Sequence, residues 1–154
     1  MVRKARTEDI PQIFELAVAL VNSIKLISKT DCFEDDPDQL LEGLAEFVKA
    51  KVEALVGHIV LVEENGEGIT GFLVGCIHTL PKFYKHNVLG QVEAMYPLSF
   101  KSKEMVNFFD AWAMVRGATA RLALCPHNHV SAKMFVRDKM DLTYLQFLKD
   151  YQGA

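Results

Sequence analysis

Glu93 lies inside the apolar run Val92-Glu93-Ala94-Met95, which reads as a strand. An apolar setting disfavours the charged carboxylate and lifts its pKa towards the range in which it works as a general base. The same residue on the outer face of a half-exposed strand would only meet water, and the pattern permits both. Cys125 is followed by His127 and His129. A thiol beside an imidazole can act as a nucleophile. A zinc reading of this group would need further ligands at recognisable spacing, and no C-x-x-C or H-x-x-x-H partner occurs. No metal site is expected, and exposed imidazoles on a loop account for the group. Asn128 suits a helix N-cap, where asparagine is among the best residues. His78 closes an apolar run, as a base, a substrate contact or a solvated strand end. Asp31, Glu34, Asp35, Asp36 and Asp38 would attract a cationic amine, or form a solvated acidic loop.

These residues must be positioned by elements that the pattern predicts in order. Residues 2–6 are short enough for an edge strand. Thr7 offers a hydroxyl N-cap, with Glu8 and Asp9 in the first turn where the helix dipole favours negative charge. Ile10, Ile13, Phe14, Ala17, Leu20 and Val21 define one helical apolar face. Asp36-Pro37 starts a second helix, whose stripe from Leu40 through Val52 and Leu55 runs to Gly57. The β-branched run 59–62, a turn within 63–68 and the apolar run 69–78 make a hairpin around Asn65-Gly66. A loop over 80–87 leads to a strand over 88–96, stopped by Pro97. Residues 102–116 read as a helix with Met105, Val106, Phe109, Trp112, Ala113 and Val115 mostly inward, ended by Gly117. A strand over 120–125, a helix over 128–139 and a strand over 142–148 complete the order. Trp112, Phe108 and Phe109 read as core rather than as a stacking platform. The order suits an α+β fold with a mixed sheet and helices on both faces.

The chain has 154 residues, half of them apolar and 24% charged, which suits one domain over 1–154 with a continuous core. Its net charge of −3 argues against general nucleic-acid binding, which needs a basic surface. No run approaches the roughly 18 to 20 apolar residues of a membrane span. The basic start, Arg3-Lys4-Ala5-Arg6, passes directly into Thr7-Glu8-Asp9, unlike a signal peptide. Cys32, Cys76 and Cys125 are odd in number and far apart, as in a reducing, cytoplasmic setting. Cys76 and Cys125 lie in apolar runs, where a thiol behaves as a small hydrophobe.

The element order and several segments resemble the GNAT superfamily of acyl-CoA-dependent N-acetyltransferases. Val2-Arg3-Lys4-Ala5-Arg6-Thr7-Glu8-Asp9-Ile10 is similar to that family's R-x-A-x-x-x-D strand-to-helix entry. The hairpin of residues 58–78 resembles its second and third strands. Asn128-His129-Val130-Ser131-Ala132-Lys133-Met134-Phe135 is similar to its N-x-x-A-x-x-x-Y helix start. Small size and eroded motifs look most like the members encoded by bacteriophages, for which host cytoplasm or virion would be the setting. The resemblance implies a GNAT-like, mostly antiparallel sheet, acetyl-CoA as co-substrate and direct attack of an amine on the thioester. It implies Glu93 as the base, the main chain of Met95 and Tyr96 against the pantetheine arm, and Asn128 against the cofactor.

Two departures stand out. The family's pyrophosphate loop, R/Q-x-x-G-x-G/A, uses glycines so that the main chain can approach the phosphates at a helix start. The matching residues here are Lys101, Ser102, Lys103, Glu104, Met105 and Val106, without a glycine. The two lysines can neutralise phosphate and Ser102 can cap the helix, whereas Glu104 adds a negative charge. The family's thiolate-protonating tyrosine is matched by Phe135, which leaves Tyr144 or Cys125 as stand-ins. The acceptor is an amine of unspecified kind. Pairing through C-terminal strands is common in the family, and residues 142–148 are apolar enough for a homodimer. The contrasting expectation is an inactive GNAT-like binding or structural module, such as a phage virion or host-interaction protein.

Overall fold

Strand pattern and burial explain one another along the middle of the chain. The computed structural model describes residues 1–27, 33–97 and 102–123. β1 (Val2–Lys4), β2 (His58–Asn65), β3 (Gly68–Thr79), β4 (Val88–Tyr96) and β5 (Ala120–Ala123) form one sheet in that spatial order. The first three pairings are antiparallel and β4 with β5 is parallel. Ile59 and Leu61 face α3 (Lys103–Val115), while Val60 and Val62 face α1 (Ile10–Ile27) and α2 (Pro37–Glu53). Covered on both sides, β2 and β3 read in sequence as continuous apolar runs instead of alternating ones. The fold is α+β with a mixed, mostly antiparallel sheet, as expected.

Each helix follows from its apolar spacing. Ile13, Ala17, Leu20 and Val21 are all buried along α1. Met105, Val106, Phe109, Trp112 and Ala113 are buried along α3, but Val115 is 85% exposed, against the expectation. Phe109 lies so close to the sheet that a Cβ at Gly75 would run into its ring, and one at Gly90 would meet Ala113 Cβ at 2.8 Å. Glycine within these strands therefore marks close helix approach. Gly117, at φ +88°, ends α3 in the left-handed region.

Several local readings are corrected. A short 3-10 turn (Thr7–Asp9) precedes α1, and Asp9 rather than Thr7 does the capping, accepting from the Arg6 amide at 2.7 Å. α2 keeps the Asp36 cap, whose carboxylate accepts from the Asp38 and Gln39 amides, but it stops at Glu53. Leu55, the last residue of the expected stripe, and the following Val56 lie beyond the helix at 97% and 85% exposure. The hairpin turn is centred on Gly66-Glu67, because Asn65 pairs with Gly68 and its side chain accepts from the Glu67 amide. The expected helix over 128–139 and strand over 142–148 lie outside the described residues.

Candidate active site

β4 carries the site because its regular pairing breaks at one residue. Val74 of β3 opposes Ala94 and Gly75 opposes Val92, so Glu93 has no partner across the ladder. Such a bulge re-aims the extra residue and is over-represented beside active sites. The β4–β5 pairing covers Leu89–Val92. Among the described residues, Met95 and Tyr96 pair only with β3, at Leu73 and Phe72.

Glu93 turns into a polar cluster on the face that α1 and α2 cover, rather than into the apolar setting read from its neighbours. Its Oε2 lies 2.7 Å from Lys51 Nζ near the end of α2. Lys51 Nζ also lies 3.4 Å from His58 Nδ1 at the start of β2. Cys76 on β3 stands directly opposite His58 in the β2–β3 register, which brings both side chains to one face. The ligating atoms of His58, Cys76 and Glu93 all lie within 4.8 Å of one another. Burial pushes the Cys76 thiol up to about 11, with the Glu93 charge and hydrogen bond adding to it and Lys51 opposing. The thiol is therefore a protonated hydrogen-bond donor at neutral pH. The Glu93 side chain is 23% exposed, so the carboxylate is reachable from solvent. A cavity of about 230 Å³ bordered by Lys4, Lys51, His58 and Arg116 adjoins the cluster at the β2 edge.

At the other end of β4, Tyr96 is joined to Pro97 by a cis peptide bond. Ser102 is completely buried and its hydroxyl donates to the Pro97 carbonyl, so it does not cap α3 as expected. Met105 and Val106 spend their side chains in the core against the sheet, and Met95 joins the same core. Lys103 and Glu104 are exposed in the first turn of α3. His78 is an exposed strand end. Lys101, Cys125, His127, Asn128, His129, Phe135 and Tyr144 lie outside the described residues, and so do Asp31 and residues 142–148.

Lys51, His58 and Cys76 were not among the sequence candidates. Cys76 sat in an apolar run and Lys51 on a helix among other charges. The His58–Cys76 register and the approach of the end of α2 join them, and no local spacing encodes either.

No family model matches the chain, and no curated protein does either. Solved structures do match its fold over nearly the whole length. A transcriptional regulator from Bacillus halodurans superposes with a TM-score of 0.69 at 16% identity, covering 98% of each chain. A predicted acetyltransferase from Clostridium acetobutylicum, solved with acetyl-CoA, gives 0.72 at 15% identity over 96% of this chain and 95% of that one. The aminoglycoside N-acetyltransferase AAC(6')-Iy, in complex with CoA, gives 0.68 at 12% identity over 99% of this chain and all of the other. The chain thus has the fold of acetyltransferases, which is also the fold implied by the GNAT resemblance.

Proposed function

We propose that this chain is an acyl-CoA-dependent N-acetyltransferase in which Glu93 is the general base. The observation that carries the reading is the bulge: the Glu93 carboxylate leaves the β3–β4 ladder two residues before Met95 and meets the polar cluster of Lys51 and Cys76. An open strand edge offers amide and carbonyl groups to an extended ligand, as in strand addition. The amides of a pantetheine arm are of that kind, and in this reading the main chain of Met95 and Tyr96 meets them on the edge away from β3. The first turn of α3 fits the pyrophosphate less well. It offers Lys103 and the unpaired amides of a helix start, with Glu104 beside them and no glycine for close approach.

In this reading Glu93 takes the proton from the incoming ammonium and the freed amine attacks the thioester carbonyl. The tetrahedral intermediate collapses, the C–S bond breaks, and the thiolate leaves with a proton. An ionised carboxylate can accept about four hydrogen bonds. Lys51 and Cys76 use two, which leaves capacity for the amine. Tyr144 and Cys125 are the candidates to return the proton to sulfur, and Asn128 to contact the cofactor. Lys101, Ser102, Lys103, Glu104, Met105 and Val106 would line the phosphates, chiefly by main chain. The acceptor is an amine, the class that the aminoglycoside enzyme's name gives for that protein. Among the described residues no helix is long and apolar enough to cross a membrane.

A non-catalytic binding module is favoured by one observation, the committed Ser102 hydroxyl in a glycine-free loop. Calorimetric titration with acetyl-CoA and with CoA separates the two. Micromolar affinity, about 8 kcal/mol, with acetyl transfer to an amine panel is expected. Absence of binding at millimolar ligand removes the enzyme reading.

A further inference from the structure

We propose that His58, Cys76 and Glu93 form a binding site for a divalent transition metal of the zinc class. This site shares Glu93 with the acetyl-transfer reading but does not depend on that reading. The three side chains supply an imidazole nitrogen, a sulfur and a carboxylate oxygen, which are the three protein donor types that zinc takes. They come from three neighbouring strands and converge on one face of the sheet. Their ligating atoms already lie within 4.8 Å of one another. Tetrahedral zinc with bonds of about 2.0–2.3 Å sets its ligands roughly 3.3–3.8 Å apart. Closing the group therefore takes about an ångström of side-chain movement, within reach of the rotatable Glu93.

The contacts of Lys51 point the same way. An ammonium has three donors and no lone pair. Its 3.4 Å contact with His58 Nδ1 therefore uses that nitrogen as acceptor, with the ring proton on Nε2. The Nδ1 lone pair thus faces a position that a cation already takes, and the same ammonium is held by Glu93 Oε2 at 2.7 Å. Metal entry exchanges one cation for another. The Cys76 S–H gives its proton to solvent, a metal–sulfur bond forms, and Lys51 releases Glu93. Lys51 and Glu93 are each partly exposed, at 20% and 23% of their side chains, so the site has an entry path from solvent.

Cobalt(II) titration of the full, metal-free chain without acetyl-CoA tests this directly. One equivalent is expected to give thiolate-to-cobalt charge-transfer absorption and the visible bands of a four-coordinate ion, both displaced by zinc. Cys76→Ser should abolish the charge-transfer band and weaken binding at least about tenfold, with the far-ultraviolet dichroism confirming the fold. Lys51→Met, which removes the competing ammonium, should tighten binding by about tenfold. Absence of the band in the unsubstituted chain overturns the site. So does its survival in Cys76→Ser, which would move the thiolate to Cys32 or Cys125. An affinity unmoved or weakened by Lys51→Met overturns it as well. Calorimetry with acetyl-CoA on the same sample reads the acetyl-transfer proposal separately.

Discussion

Two polar clusters interrupt the core at opposite ends of β2, and they are built to different plans. At the far end, Arg3 holds Asp9 through two hydrogen bonds of 2.7 and 3.0 Å and Glu64 through a third of 2.8 Å. Asp9, 5% exposed, also accepts from the Arg6 amide. Each charge there has a paired opposite, and the cluster ties β1, the entry to α1 and β2 together. At the near end, one ammonium faces a carboxylate, an imidazole and a thiol drawn from three strands. Its donors and acceptors outnumber its contacts. A closed cluster of strong pairs stabilises the fold, whereas unspent polar capacity at a reachable bulge is what chemistry requires.

If that contrast holds, Glu93→Gln and Asp9→Asn should fail in opposite ways. Glu93→Gln is expected to lower turnover about 10²–10⁴-fold, the usual contribution of a positioned base. Acetyl-CoA affinity should stay unchanged by calorimetry. Full rate in that variant would remove Glu93 as the base.

Asp9→Asn should instead cost stability, about 1.5–3 kcal/mol for hydrogen bonds to charged groups, with kcat nearly untouched. Urea denaturation followed by steady-state rates reads both. The Arg3 guanidinium holds the Asp9 carboxyl below its ordinary range, aided by the Arg6 amide, while burial opposes. A depressed folded pKa means that its stabilisation is complete above the ordinary aspartate range. It is lost as pH falls through the folded value. The acid limb of the unfolding free energy should therefore flatten in Asp9→Asn. An unchanged acid limb would show that the Arg3 cluster does not carry the pH dependence.

The same contrast explains what was legible from sequence. α1, β4 and most of the inner face of α3 could be read because periodicity is local, although Phe108 and Val115, read as core and as inward, are exposed. The end of α2 could not, since Leu55 continues its apolar pattern although the helix stops at Glu53. The Arg3–Asp9 pair lies within a local strand-to-helix segment. Glu93 was visible as a carboxylate among apolar residues, but its bulge was not, because a bulge is a relation between two strands. Cys76 looked like a small hydrophobe, and it is buried as one would be. Its companions arrive through the register of β2 with β3 and the close of α2, which no spacing in the chain announces.

The smallest effect tests whether the near cluster acts as one electrostatic unit. With its thiol pushed up to about 11, Cys76 should react with iodoacetamide at pH 8 about two orders of magnitude more slowly than an unfolded cysteine near 8.5. Peptide mass spectrometry follows Cys76 apart from Cys32 and Cys125. Glu93→Gln removes the negative charge that holds the proton on sulfur, so labelling should accelerate severalfold. Lys51→Met removes the cation that opposes it, so labelling should slow. Opposite shifts in the two variants would mean that thiol, carboxylate and ammonium share one field. Equal rates in all three chains would mean that burial alone governs Cys76 and that Glu93 works without it.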